Sequence, residues 1–170
     1  MMRRLTGAAL VALTMLLFAG AAPALAFDRS ANEAAVLRLI NQTRRSRGLA
    51  AVRVAGALDR AALAHSRDMI ARDYFAHSSL AGAGVAARAR GAGYSVSGYE
   101  QWYVGEVIAW GTGTRGTPAS VVKAWMNSST HRQVILTARW RDVGIGCSRG
   151  TFQGRSGVVM YTVDFGRRVR

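Results

Sequence analysis

Cys147 is the only cysteine in the chain, and residues 1–26 read as an export leader. Together these two facts constrain the fold more than any other feature. Exported domains are commonly stapled by disulfides, and a single thiol cannot form one within its own chain. The fold must therefore be held by packing and hydrogen bonds. The leader reading rests on the basic start Met1-Met2-Arg3-Arg4, the apolar run from Leu5 to Gly20, and the small residues Ala24-Leu25-Ala26. That run is shorter than the roughly 20 residues a spanning helix needs. Cleavage near Ala26 is thus expected over anchoring, which would release residues 27–170 to the periplasm or the medium with no transmembrane segment. Phe27, not cysteine, stands directly after the cleavage position, so there is no lipid attachment point there. The released chain is long enough for one domain with a real core. Cys147, inside the apolar run 143–147, reads as a buried and inert thiol.

The chain carries a formal charge of +14, and every basic residue except Lys123 is arginine. Such a balance suits attraction to an anionic surface such as lipid headgroups or envelope polymers. A GC-rich coding sequence would produce the same arginine bias without any such role. Export argues against a nucleic-acid partner. The arginines are scattered, with short clusters at Arg44-Arg45-x-Arg47 and Arg167-Arg168-x-Arg170.

Hydrophobic spacing predicts a helix capped by Asn32 and running to about residue 47, with Val36, Leu39, Ile40 and Thr43 inward and Arg38, Arg44 and Arg45 off that face. Gly48 ends it. A second helix is expected over 57–72, with Leu58, Ala62, His65 and Met69 as its apolar stripe. A short helix over 85–90 follows a loop, and 103–110 has strand character. Thr117 and Pro118 open a helix reaching Met126, and His131 begins another to about Leu136. Two β-rich segments, 142–148 and 157–165, flank a turn at Arg149-Gly150-Thr151. Helices first and strands last indicate an α+β fold with an antiparallel sheet.

Three segments look built to meet in one cleft. Tyr74-Phe75-Ala76-His77 and the stretch from Trp125 to Arg132, which includes His131, each supply an imidazole; Gly105-Glu106-Val107 supplies a carboxylate in an apolar run. Two neutral imidazoles and a carboxylate can bind a divalent cation or run acid–base chemistry. Blander readings exist for each. His77 sits at a helix-to-loop boundary, Glu106 could face solvent by strand alternation, and His131 could be a surface residue at a helix start. His65 shares a stripe with core residues and reads as core or as support behind the cleft.

These segments resemble, in order and spacing, the bacterial CAP superfamily (cysteine-rich secretory proteins, antigen 5 and pathogenesis-related class 1 proteins). The resemblance is carried by Asn41-Gln42-Thr43-Arg44, Gly48-Leu49, Leu58 to Met69, Tyr74 to His77, Gly105-Glu106, Trp125 to Arg132, Val143-Gly144-Ile145-Gly146 and Asp164-Phe165-Gly166. It covers residues 31–166, leaving 167–170 as a basic tail. It implies an α-β-α sandwich with a cleft beside the sheet, and it assigns His77, Glu106 and His131 to that cleft as candidate metal ligands, with Ser128 and His65 behind them. The implied cofactor is zinc or another divalent cation, weakly bound. Ser128 stands where many relatives carry a second glutamate, which removes one acid–base candidate. Val107 and Val134 stand where relatives usually carry asparagine, a paired loss that follows either from contact between the two positions or from drift at unrelated sites.

The reading is then an exported, non-catalytic module that binds a small or lipid-like ligand or an envelope partner through its His/Glu cleft. The alternative is a metal-dependent hydrolase, a peptidase or cell-wall enzyme, using His77, Glu106 and His131, with Glu106 the only candidate catalytic base.

Overall fold

Ser30 starts the first helix. Its side chain accepts from the Glu33 backbone N–H at 3.3 Å, and Glu33 reaches back to the Ser30 N–H at 2.9 Å. This capping box satisfies two donors that a helix start otherwise leaves open. It outcompetes the Asn32 start expected from sequence, and α1 spans Ala31–Arg45. A two-residue strand, β1 (Arg53–Val54), leads into α2 (Gly56–Ala71). Then follow α3 (Val85–Gly91), β2 (Gln101–Thr112), a 3-10 turn (Gly113–Gly116), α4 (Pro118–Asn127), α5 (Ser129–Ile135), β3 (Asp142–Phe152) and β4 (Arg155–Val169). The computed structural model describes residues 30–170, so the expected leader and cleavage position lie outside the described residues. No described helix is long and apolar enough to cross a membrane.

The sheet order is β1-β3-β4-β2, antiparallel except where β1 pairs with β3. Alternation along the strands sorts side chains to two faces. Val107, Val143, Ile145, Tyr161, Val163 and Phe165 meet α1, α4 and α5 through Val36, Ile40, Trp125 and Ile135. On the other face α2 lies on β3 and β4, and α3 packs beside it against β2. The α+β class and the α-β-α sandwich expected from sequence are what the chain adopts.

Two glycines set the separation on the α2 face. A methyl at Gly144 would overlap the backbone of Leu58 and Asp59, and one at Gly146 the backbone of Ala62 and Leu63. The helix therefore rests directly on the strand. The Ser66 hydroxyl donates across this contact to Gly146 O at 3.0 Å and lies 2.8 Å from the Thr162 hydroxyl, which can donate to it in turn. β1 is too short to pair the whole of β3. Side chains complete the job: Asp59 accepts from the Ile145 N–H at 2.8 Å, and Glu33 from the Cys147 N–H at 2.9 Å. Buried carboxylates are costly unless hydrogen-bonded, and these two replace a missing strand.

Several boundaries differ from the sequence expectation. β3 and β4 run through the expected turn at 149–151 and reverse instead at Gln153-Gly154, both at positive φ (49° and 72°). Two left-handed residues in a two-residue loop match the twist of a hairpin. The expected basic tail at 167–170 is mostly strand, since β4 continues to Val169, opposite Gln101. Arg44, expected off the apolar face, is fully buried. Its Nε donates to Ala50 O at 3.0 Å, and its Nη1 to Ile135 O at 2.6 Å and Thr137 O at 3.0 Å. Spacing shows only which face a residue shares; it cannot show that another helix end waits there for a cation. Val107 is wholly buried on the face opposite Glu106, and Val134 packs against the same cluster.

Candidate functional site

The site is assembled at β2, an outer strand of the sheet. Glu106 is the register partner of Asp164 on β4 and turns toward the α2 and α3 layer, with its side chain only 2% exposed. Both its oxygens are used. His77 donates from Nδ1 to Oε1 at 2.7 Å, and the Arg88 guanidinium pairs with Oε2. The blander expectation of a solvent-facing strand residue therefore does not hold for Glu106.

Arg88 is the residue that sequence reasoning missed. It sits on α3, and besides Glu106 it donates from Nη1 to His77 O and Ala83 O, each at 2.7 Å. One guanidinium thus ties the loop carrying His77 to the strand carrying Glu106. Its planar fork of donors is suited to such a junction. The His77 ring itself remains 61% exposed. With Nδ1 held by Glu106, its Nε2 is left for a ligand or solvent.

Behind this loop, His65 is buried and donates from Nε2 to Ala76 O at 2.9 Å. That bond fixes the backbone next to His77. Burial, with the Arg88 charge adding, lowers the His65 pKa. Tyr74 donates to Asp68 Oδ2 at 2.5 Å and lies 3.5 Å from His65 Nδ1.

The lowered His65 pKa has a consequence for stability. Its folded pKa lies below the unfolded value near 6.5, so below that pH the unfolded state binds more protons. Stability is then lost as pH falls from about 6.5 toward the lowered folded pKa. Denaturant midpoints measured at about pH 7.5 and pH 5 are expected to differ in that direction. The difference should shrink in His65→Gln, which keeps a donor toward Ala76. An unchanged difference would show that His65 does not cause it.

Asp164 is also absent from the expected set as a site residue, although it belongs to the Asp164-Phe165-Gly166 motif. It is completely buried, and no N–H or O–H group among the described residues donates to either of its oxygens. Burial and the neighbouring Glu106 charge raise its pKa well above the ordinary carboxyl range, against a smaller opposing effect of Arg88. The cluster thus sets Glu106, paired with an imidazole and a guanidinium, beside a carboxyl, Asp164, that is held toward its protonated form. Strand alternation in Tyr161 to Phe165 could have revealed Asp164, because it places an acid on an inward face.

The second imidazole comes from the opposite helix layer. Ser128 lies at the junction of α4 and α5, and its hydroxyl is 2.9 Å from His131 Nδ1. Trp125 pins α4 to the strand through a 3.0 Å bond from its indole N–H to Ile108 O. Burial lowers the His131 pKa, with His77 adding to the effect. No hydrogen bond joins the His77–Glu106 pair to the Ser128–His131 pair among the described residues. Nor do three histidine, cysteine, aspartate or glutamate side chains there come together as a metal-binding group.

The chain as a whole has known relatives. The profile of the cysteine-rich secretory protein family, CAP, matches residues 37–165. This chain is a CAP-domain protein. It is 36% identical over 117 residues to the uncharacterized protein YkwD of Bacillus subtilis, a match covering 69% of this chain and 42% of that one. Among solved structures it resembles an extracellular protein containing an SCP domain from Bacillus anthracis, with a TM-score of 0.65 at 24% identity, over 80% of this chain and 40% of that one. It also resembles an outer surface protein from Borrelia burgdorferi, with a TM-score of 0.62 at 20% identity, over 78% and 90% of the two chains. The CAP domain here thus spans less than half the length of both Bacillus relatives.

Proposed function

We propose that this CAP domain is an exported binding module whose cleft presents two oriented imidazoles, rather than a hydrolase. The observation that carries the proposal is the state of Glu106. A general base must reach the proton it takes. Glu106 is buried, and both of its oxygens are committed, one to His77 and one to Arg88. Ser128, in place of a second carboxylate, offers only a hydroxyl, and that hydroxyl faces His131.

We propose in addition that the two imidazoles bind a divalent cation weakly. His77 and His131 would ligate through Nε2, with Glu106 orienting the first ring and Ser128 the second, the usual outer-shell role of groups hydrogen-bonded to a ligating histidine. Glu106 then supports the site instead of ligating it. When bound, zinc would act there as a Lewis acid toward an anionic or carbonyl group. Two protein ligands leave positions open, so affinity falls well short of a four-ligand structural site. Phe75 and Leu80, both exposed, lie on the loop that carries His77 and would give a ligand an apolar contact. Export is supported by the leader-like start and by the extracellular and outer-surface naming of the structural neighbours.

Zinc titration by calorimetry at about pH 7.5 is expected to give weak binding that fades below about pH 6, as the imidazoles protonate, and that is lost in His77→Ala. The hydrolase reading is tested separately, on a panel of peptides, esters and cell-wall glycans with and without zinc. No turnover above background is expected. Zinc-dependent cleavage by the wild type that disappears in Glu106→Gln would overturn the binding-module reading.

A further inference from the structure

We propose that the end of the sheet formed by the start of β2 and the finish of β4 is a docking face for an anionic phospholipid surface, separate from the cleft.

Five arginines gather there. On the α2 and α3 side, Arg90 lies over the Trp102 ring at 5.7 Å from its centroid, Arg168 over Tyr94 and Tyr99 at 4.5 and 5.0 Å, and Arg170 over Tyr99 at 5.5 Å. On the other side, Arg139 lies over Tyr103 at 4.4 Å, and Arg167 is the register partner of that tyrosine. Stacking on an aromatic face holds a guanidinium in place while leaving its edge N–H groups open. Those groups are the donors that recognise phosphate oxygens, often two at a time; on Arg168 they are already engaged, by Ser95 O at 3.3 Å and by Asp142 at 3.6 Å.

The distribution of acids sharpens the field. Glu33, Asp59, Glu106 and Asp164 are all buried, whereas Arg44 is the only basic residue that is wholly so among the described residues. Four of the acids are therefore inside, and the surface is richer in cations than the composition suggests. At the docking face itself the nearby acids are Glu100, which is exposed, and Asp142. Asp142 accepts from the Tyr94 hydroxyl at 2.6 Å and lies 3.6 Å from Arg168, so it offsets one arginine of the five.

The shape favours a surface over a threaded polymer. The arginines surround a blunt end of the sheet on both of its faces. The hollow of about 490 Å³ between α2 and α3 is lined by Arg60, Ala61, Ala64, Arg88, Gly91 and Ala92, and by none of the five. Their aromatic partners lie beneath the guanidiniums, and the exposed large apolar side chains Val54, Phe75 and Leu80 belong to other segments. Contact is thus electrostatic and needs no insertion. Each basic residue close to an anionic bilayer contributes roughly fivefold in affinity, within a Debye length of the surface.

The test is co-sedimentation at low ionic strength with vesicles of phosphatidylcholine alone, or with one-third phosphatidylglycerol. Protein is recovered from expression of the whole chain, and mass spectrometry verifies that every variant has the same N-terminus. A patch variant, Arg90→Gln with Arg139→Gln and Arg170→Gln, is compared with an equal-charge control, Arg38→Gln with Arg45→Gln and Arg47→Gln. All six positions are exposed, and melting curves check folding. The expected result is binding to the anionic vesicles only, reduced on the order of 100-fold in the patch variant and little changed in the control. Equal losses in the two variants would reduce the effect to net charge and overturn the docking face. So would failure of the wild type to bind the anionic vesicles, including the case in which it binds only a soluble polyphosphate.

Discussion

Gly146→Ala is expected to abolish cooperative folding. The added methyl would overlap the backbone of Ala62 and Leu63 in α2, and backbone cannot rotate away as a side-chain tip can. Relief requires lifting α2 from β3, which would pull apart the Ser66 bonds to Gly146 O and Thr162. The Asp59 bond to the Ile145 N–H spans the same contact. Overpacking in a core typically costs about 1–3 kcal/mol when side chains can yield. Here the cost should exceed that range, a large share of the roughly 5–15 kcal/mol by which a domain is typically stable. Circular dichroism and a thermal melt would check it. Gly91→Ala is the control, since a methyl there meets nothing and the backbone is helical. That substitution should be neutral or stabilise by up to about 1 kcal/mol. A Gly146→Ala protein that melts like the wild type would show that the α2–β3 contact yields easily.

Arg44→Met is expected to destabilise the domain by on the order of 3 kcal/mol or more, since hydrogen bonds to charged groups are worth about 1.5–3 kcal/mol each and do not add fully. The side chain is fully buried, and three carbonyls depend on it: Ala50, Ile135 and Thr137. Ile135 closes α5, where a helix presents the negative end of its dipole, so a cation there is favourable. Burial lowers the Arg44 pKa, with the Arg141 charge adding, yet nothing brings an arginine near neutrality at physiological pH. Because α5 carries His131, the variant should also weaken any metal affinity of the cleft. Replacing a buried ion by an apolar residue of similar volume is sometimes neutral. An unchanged denaturant midpoint would mean that water takes over the three carbonyls and that Arg44 fills space only.

How far the site was legible depends on the kind of contact involved. His77, Glu106 and His131 could be singled out because polar residues in apolar segments are conspicuous and because motif order matched a known family. Their pairing could not be read. His77 meets Glu106, and His131 meets Ser128 instead, since the first histidine reaches β2 from the α2 layer and the second from α5. Arg88 was hidden for a different reason. Among so many arginines, nothing in residues 85–90 marks the one that turns inward to Glu106. His65 lies on the buried face of α2, but its bond to Ala76 O joins residues from different elements and has no local signature.

The sequence by itself determined the class of fold and the order of its elements. Periodicity, the Thr117–Pro118 start and the β-branched stretches are local, and local preferences decide which segments coil and which extend. It also determined that no disulfide could close the chain on itself. Tertiary structure decided where each polar group finds its partner. Glu33 and Asp59 complete the exposed edge of β3 only because β1 stops after two residues, and α2 touches β3 only because Gly144 and Gly146 both face it. Those outcomes depend on distances between segments far apart in the chain. A buried charge is tolerable only where its partner is delivered, and delivery is a property of the assembled layers.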